Sequence, residues 1–173
     1  MKKIKNFKID QRQGYILREL KKRNISISEE ELYEKIKEVQ DAVLPATIYD
    51  TFSSTDPSGI IDCGDAVSIS VFAVTLGKNL DVIASGEITG VIIDDAMDAS
   101  VNFVKKLIQI EAEEDHCELL EPVEMPPDSV YSNSKLCKAM EFSKIDIQFD
   151  NGRVLPKSTR FYSIGWLLKK RKR

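Results

Sequence analysis

Hydrophobic and polar positions fall into their clearest order between residues 67 and 110. Val67-Ser68-Ile69-Ser70-Val71-Phe72-Ala73-Val74-Thr75-Leu76 alternates in its first half, is apolar on both sides in its second, and ends at Gly77. That pattern predicts a strand in the middle of a sheet covered on both faces. A short segment, Leu80-Asp81-Val82-Ile83-Ala84, follows, and then Ser85-Gly86 and Thr89-Gly90 interrupt the chain. From Val91 the period turns helical, with Met97, Val101, Val104 and Ile108 on one stripe and Asp94, Asp98, Asn102, Lys105 and Gln109 opposite. Ala96, Ala99 and Ser100 are small enough for close approach to a sheet. Asp94 and Asp95 are expected in the first turn, where the helix dipole favours acids.

Upstream, residues 4–9 alternate as a short strand, Asp10 is a candidate N-cap, and Ile16, Leu17 and Leu20 mark a helix over 11–23 that stops near Asn24. Ser28 and Glu31 form a capping-box pattern ahead of Leu32, Ile36, Val39 and Val43, and Pro45 stops that second helix. Residues 47–53 predict a strand, Asp56-Pro57-Ser58-Gly59 a turn, and residues 60–63 a short return strand. Downstream, the acidic residues 111–124 and the prolines Pro126 and Pro127 predict an irregular surface crossover. A short helix over 135–142 leads to a hairpin in which residues 145–149 and 153–155 flank Asp150-Asn151-Gly152. Pro156 confines the return strand, and residues 157–168 form a last element. The pattern is that of a single α+β domain over residues 1–168, with a central mixed or antiparallel sheet flanked by helices, followed by a basic tail over 169–173.

Composition changes this picture little. With 173 residues, 42% hydrophobic and 31% charged, the chain buries a core without staples and belongs to neither the disordered nor the membrane class. No apolar run approaches the roughly 20 residues of a membrane span. The start, Met1-Lys2-Lys3-Ile4-Lys5, runs into polar residues rather than a signal core, so a cytoplasmic protein is expected. Cys63, Cys117 and Cys137 are widely spaced without a C-x-x-C pair, which predicts reduced thiols. A net charge of −3 gives no general pull toward nucleic acid. The five basic tail residues leave a polyanion-binding arm as a minor alternative.

Enzyme signatures are sparse: the sequence holds no P-loop, no G-x-G-x-x-G, no G-x-S-x-G and only one histidine, His116. His116 adjoins Cys117 in an acidic stretch, but a nucleophile and its base must converge across a pocket, which neighbours in a loop do not. Asp94, Asp95 and Asp98 would need further oxygens to hold a hard cation. Thr75-Leu76-Gly77, at the end of the central strand, occupies a place where open sheets hold ligands, although a glycine there also serves a plain turn. Arg153, Pro156, Ser158, Arg160, Phe161 and Tyr162 combine cationic, hydroxyl and aromatic groups suited to an anionic or adenine-bearing ligand, to a protein interface, or to an ordinary edge. No residue is assigned a catalytic role.

Four stretches together resemble a known family: Ile16-Leu17-Arg18-Glu19-Leu20 with the helix after Ser28; Phe72-Ala73-Val74-Thr75-Leu76-Gly77; Ile93-Asp94-Asp95-Ala96-Met97-Asp98-Ala99-Ser100; and residues 145–158, ending Leu155-Pro156-Lys157-Ser158. In this order they resemble the small standalone relatives of the activation domain of cobalamin-dependent methionine synthase. The resemblance implies S-adenosylmethionine as cofactor, with Thr75, Gly77, Arg153, Ser158 and Tyr162 lining its site. It also implies a corrinoid protein or cobalamin-dependent methyltransferase as partner, with cobalamin carried by that partner. The family's arginine and P-G-Y segment between the long helix and the late hairpin have no counterpart in residues 118–131. The alternative is therefore a docking relative that has lost S-adenosylmethionine binding.

Overall fold

The computed structural model describes residues 1–83 and 86–169. In chain order the elements are Lys2–Lys5 (β1), Gln13–Lys22 (α1), Glu29–Ala42 (α2), Ala46–Ser53 (β2), Ser68–Thr75 (β3), Glu87–Glu114 (α3), Cys117–Leu119 (β4), Val123–Met125 (β5), Pro127–Ser132 (α4), Ser134–Met140 (α5), Gln148–Asp150 (β6), Arg153–Leu155 (β7) and Thr159–Leu168 (β8). Short 3-10 turns occupy Lys78–Val82 and Phe142–Ile145. The result is a single α+β domain whose six-stranded sheet is antiparallel throughout, in the order β1-β2-β3-β8-β4, with β5 also paired to β8. The four basic tail residues 170–173 lie outside the described residues.

The central strand is covered on both faces, as its pattern requires. Phe72, Val74 and Leu76 enter a core beneath α1, α2 and α3, while Val71 and Ala73 enter a second core closed by Val130, Leu136, Met140, Phe142 and Ile145. Alternation on a strand sends neighbours to opposite faces, so one run of residues holds three layers together. The capping box forms: Ser28 Oγ accepts from Glu31 N, and Ser28 N donates to Glu31.

Several expectations give way. Residues 60–63 form no strand; β2 instead turns through a long loop and pairs with β3 along its whole length, which satisfies eight residues of backbone rather than four. Asp10 does not cap α1, whose N-cap is Arg12 without a side-chain bond. Gly90 does not interrupt the helix, because the burial of Val91 and Ile92 outweighs the cost of one internal glycine, about 1 kcal/mol. The acidic crossover contains β4 and β5, since the ten-residue β8 would otherwise leave its outer backbone groups unpaired. Pro127 starts α4 instead of preventing it, as a proline can at a first helical position.

α3 begins at Glu87, so Asp94 and Asp95 sit about two turns inside it rather than at its positive end. Their charge is handled by arginines. Asp95 is fully buried and accepts from Arg12 N at 2.8 Å, Arg12 Nε at 2.8 Å and Arg12 Nη2 at 2.7 Å. Asp94 pairs with Arg160 Nη2 at 2.8 Å. No helix among the described residues is long and apolar enough to cross a membrane.

Candidate functional site

β3 ends at a stitched turn. Leu76 N donates to Ser158 O at 2.9 Å and Leu76 O accepts from Leu44 N at 2.8 Å, so the chain is fixed on both sides just before Gly77 takes a positive φ of 90°. Because Leu76 and Ser158 share a ladder bond, the preceding cross-strand pair, Thr75 and Thr159, is the non-bonded one whose side chains stand close. Thr75 Oγ1 accepts from Gly77 N at 3.2 Å. Thr159 Oγ1 is buried and has no partner among the described residues.

Above this turn lies a cleft of about 630 Å³, a size suited to a small ligand. One wall is sheet and turn, with Ala46, Thr75, Gly77 and Lys78; the other is Ile145, Gln148, Leu155 and Pro156 from the segment after α5. Pro156 follows a cis peptide bond. Charges of both signs line the cleft: Lys5 and Lys78 against Asp81 and Asp146. Lys5 Nζ meets Asp146 Oδ2 at 3.0 Å, and Asp81 accepts from Lys157 N at 3.2 Å. The mouth carries exposed apolar groups, Leu44 at 49% and Leu155 at 39%, and Val82, next to Asp81 in the chain, is 86% exposed.

The five residues expected at one site separate. Thr75 and Gly77 line this cleft. Ser158 meets the same turn through its backbone carbonyl. Arg153 is exposed on β7, opposite Asp150. Tyr162 lies on the other face of the sheet, stacked on Phe72 at 5.1 Å beneath the helices. A strand residue's face depends on register, and Tyr162 is odd-numbered steps from Thr159, so the two face opposite layers. Lys5, Lys78, Asp81, Asp146 and Thr159 escaped the sequence reading. Only Thr159 had a local signal, its closeness to Pro156-Lys157-Ser158; the others converge from distant segments.

Tyr162 belongs to a charged row on the helix side, with Arg160, Asp94, Asp98 and Glu124. Burial raises the Tyr162 hydroxyl above its usual range, although Arg160 opposes this. Burial works against the Arg160 charge, yet the Tyr162 hydroxyl and the acids Asp94 and Glu124 outweigh it, and the guanidinium stays charged beyond its usual range. Asp98 is raised chiefly by burial, opposed by Arg160 and Arg12 and reinforced by Asp94 and Asp95. Among the described residues, no three His, Cys, Asp or Glu side chains are grouped to hold a metal.

Protonation of Asp98 is coupled to folding. A raised folded-state value means that the native chain holds this proton more tightly than the unfolded chain. Its stabilising contribution is complete below the unfolded value of about 3.9 and is lost as pH rises through the folded value. Asp98→Asn should therefore unfold at slightly higher temperature than the parent at pH 7, by less than about 1 kcal/mol because solvent screens the half-exposed side chain. The gain should vanish below about pH 4. Paired melts across pH 3.5–7.5 check this, and a variant less stable at pH 7 would overturn it.

Compared with known proteins, the chain matches no protein-family model and no curated protein.

Proposed function

We propose that the protein is a binding module that works in S-adenosylmethionine-linked reactivation of a cobalamin-dependent methyltransferase, with its ligand held in the Thr75–Gly77 cleft. The observation that supports this reading most is the coincidence of the cleft of about 630 Å³ with the Thr75-Leu76-Gly77 turn, which the family resemblance singles out. Size and charge fit the ligand. Lys78 suits its carboxylate and Asp81 its ammonium and sulfonium, since opposite charges at close range favour each other most where water is partly excluded, while Lys5 and Asp146 neutralise each other. Leu155, Pro156 and Ile145 offer apolar surface to the adenine, and Thr75 supplies a hydroxyl beside it. When bound, S-adenosylmethionine supplies a methyl group. This chain binds and orients it, and the corrinoid of the partner protein carries the transfer. Arg153 and Tyr162, one outside the cleft and one on the other sheet face, have no part in holding the ligand in this reading.

Ligand that binds only the folded chain raises its stability in proportion to RT ln(1 + [L]/Kd), about 2.7 kcal/mol at a hundredfold excess over Kd. The expected result is a concentration-dependent rise in unfolding temperature with S-adenosylmethionine and with S-adenosylhomocysteine, diminished in Lys78→Ala. No rise at millimolar ligand would end this reading.

The exposed Leu44, Val82 and Leu155 favour a second reading, a docking protein for a corrinoid protein or methyltransferase that no longer binds S-adenosylmethionine. It predicts a melt indifferent to the ligand, together with retention of a cobalamin-bearing protein on the immobilised chain. That retention should be lost in Leu44→Asp with Val82→Asp.

A further inference from the structure

The large sheet has an open edge at each end. β1 has only β2 beside it, and β4 and β5 have only β8, so among the described residues no further strand covers either edge. The two edges differ in sign. β1 carries Lys2, Lys3 and Lys5, while the β4–β5 side carries Glu118, Glu121 and Glu124. Most of these charges are met within the chain: Lys2 by Glu111 at 2.9 Å, Lys5 by Asp146 at 3.0 Å, Glu121 by Lys105 at 2.7 Å and Glu124 by Arg160 at 4.0 Å. Lys3 and Glu118 are exposed, and neither has an ion-pair partner among the described residues.

Backbone geometry matches these two residues to each other. Four successive antiparallel pairings separate β1 from β4, so the two edge strands run in the same direction. Asn6 N donates to Pro45 O, so by alternation Ile4 turns its backbone groups toward β2, and Lys3 and Lys5 turn theirs outward. Lys169 N donates to His116 O and Leu120 N to Gly165 O, so Glu118 turns its groups toward β8, and Cys117 and Leu119 turn theirs outward. Side chains sort by the same alternation. Lys3 stands opposite Ile48, which enters the core away from the helices, and Glu118 alternates with Cys117 and Leu119, which enter the core beneath them. Lys3 and Glu118 therefore project on the same side of the sheet.

We infer that β1 of one copy of this chain pairs in parallel with β4 of the next, extending the sheet from molecule to molecule with its layers in line. In a parallel ladder a residue bonds the two neighbours of the residue it faces. Lys3 N then donates to Cys117 O, Lys3 O accepts from Leu119 N, and Lys3 faces Glu118 with opposite charge on the same side. Charge on an edge guards it against edges of its own sign, and here it selects the opposite edge. The contact joins two different surfaces, so it builds an open chain or a ring rather than a two-fold dimer. With so few residues in each strand it is a weak contact, formed as concentration rises.

The test follows the intact chain by sedimentation velocity from micromolar to millimolar concentration. Reversible growth beyond the monomer is expected, weakened by added salt. Lys3→Glu and Glu118→Lys should each weaken association about tenfold or more, because each sets like charges face to face. An equimolar mixture of the two variants should associate as the parent does, since every contact in it again joins opposite charges. In the parent, hydrogen exchange at the Lys3 and Leu119 amides should slow as concentration rises. A chain that stays monomeric at millimolar concentration, single variants that associate like the parent, or a mixture that does not recover would overturn the inference. Exchange at Lys3 and Leu119 of the unmodified chain decides alone if either variant does not fold.

Discussion

Asp95→Ala is expected to lower the stability of the folded chain by about 3 kcal/mol, the lower end of what breaking a buried ion pair costs. The carboxylate has no solvent exposure, and both oxygens accept: Oδ2 from Arg12 N, Oδ1 from Arg12 Nε and Nη2. The arginine side chain is 48% exposed, so once its partner is gone it returns to water instead of remaining as a stranded charge. That exposure is why the lower end applies. Asp95→Asn should cost nearly as much despite its shape, because an amide must turn its NH2 toward either Arg12 N or the Arg12 guanidinium, all of them donors. Arg12→Ala leaves the buried carboxylate with only a backbone N–H and should be comparably damaging. Removing both partners together should cost less than the sum of the single changes, since neither charge is then left behind. Urea unfolding of the single and double variants gives the coupling energy directly. A loss under about 1 kcal/mol with no coupling would mean that the pair does not hold the N-terminal segment to α3.

Gly77→Ala is expected to be the most damaging glycine substitution near the cleft. With φ at 90° and ψ at 160°, Gly77 occupies a region of backbone space that side chains essentially never enter, at a cost of about 1–3 kcal/mol. The added Cβ would also stand 3.0 Å from Leu44 Cβ and 3.1 Å from Leu44 O. Leu44 cannot yield freely, because its N–H is bonded to Leu76 O. Strain and collision thus reach the same turn, and Leu44 and Gly77 both line the cleft, so the variant should also weaken any ligand held there. Gly14→Ala is the matching control. Gly14 lies inside α1 with nothing within 4 Å of its added Cβ, so the change should stabilise the chain by up to about 1 kcal/mol. If both variants unfold at the same denaturant concentration, the conformation of Gly77 is not what fixes this turn.

Local chemistry by itself determined much of this protein. Residues 67–76 declared a strand covered on both faces because Val71 to Val74 offer apolar side chains to each side, and two cores receive them. The α3 stripe of Met97, Val104 and Ile108 is buried, the Ser28–Glu31 box caps α2, and Asn151 and Gly152 both take the positive φ that the short β6–β7 turn needs. These signals travel over a few residues, where periodicity, capping and turn chemistry act. Only the tertiary structure decided which strands became neighbours. β8 lies at the heart of the sheet although Pro156 precedes it, and the acidic residues after α3 become strands because β8 has backbone groups to satisfy there. The same holds for the sites. Asp95 and Arg12 meet across 83 positions of chain, and Lys5 and Asp146 across 141. Tyr162 stands opposite Phe72, three residues along β3 from Thr75, and so faces the other layer, because each step along a strand reverses a side chain. Register and long-range pairing are settled by how whole elements share burial and backbone hydrogen bonds, and no short window of sequence contains that sum.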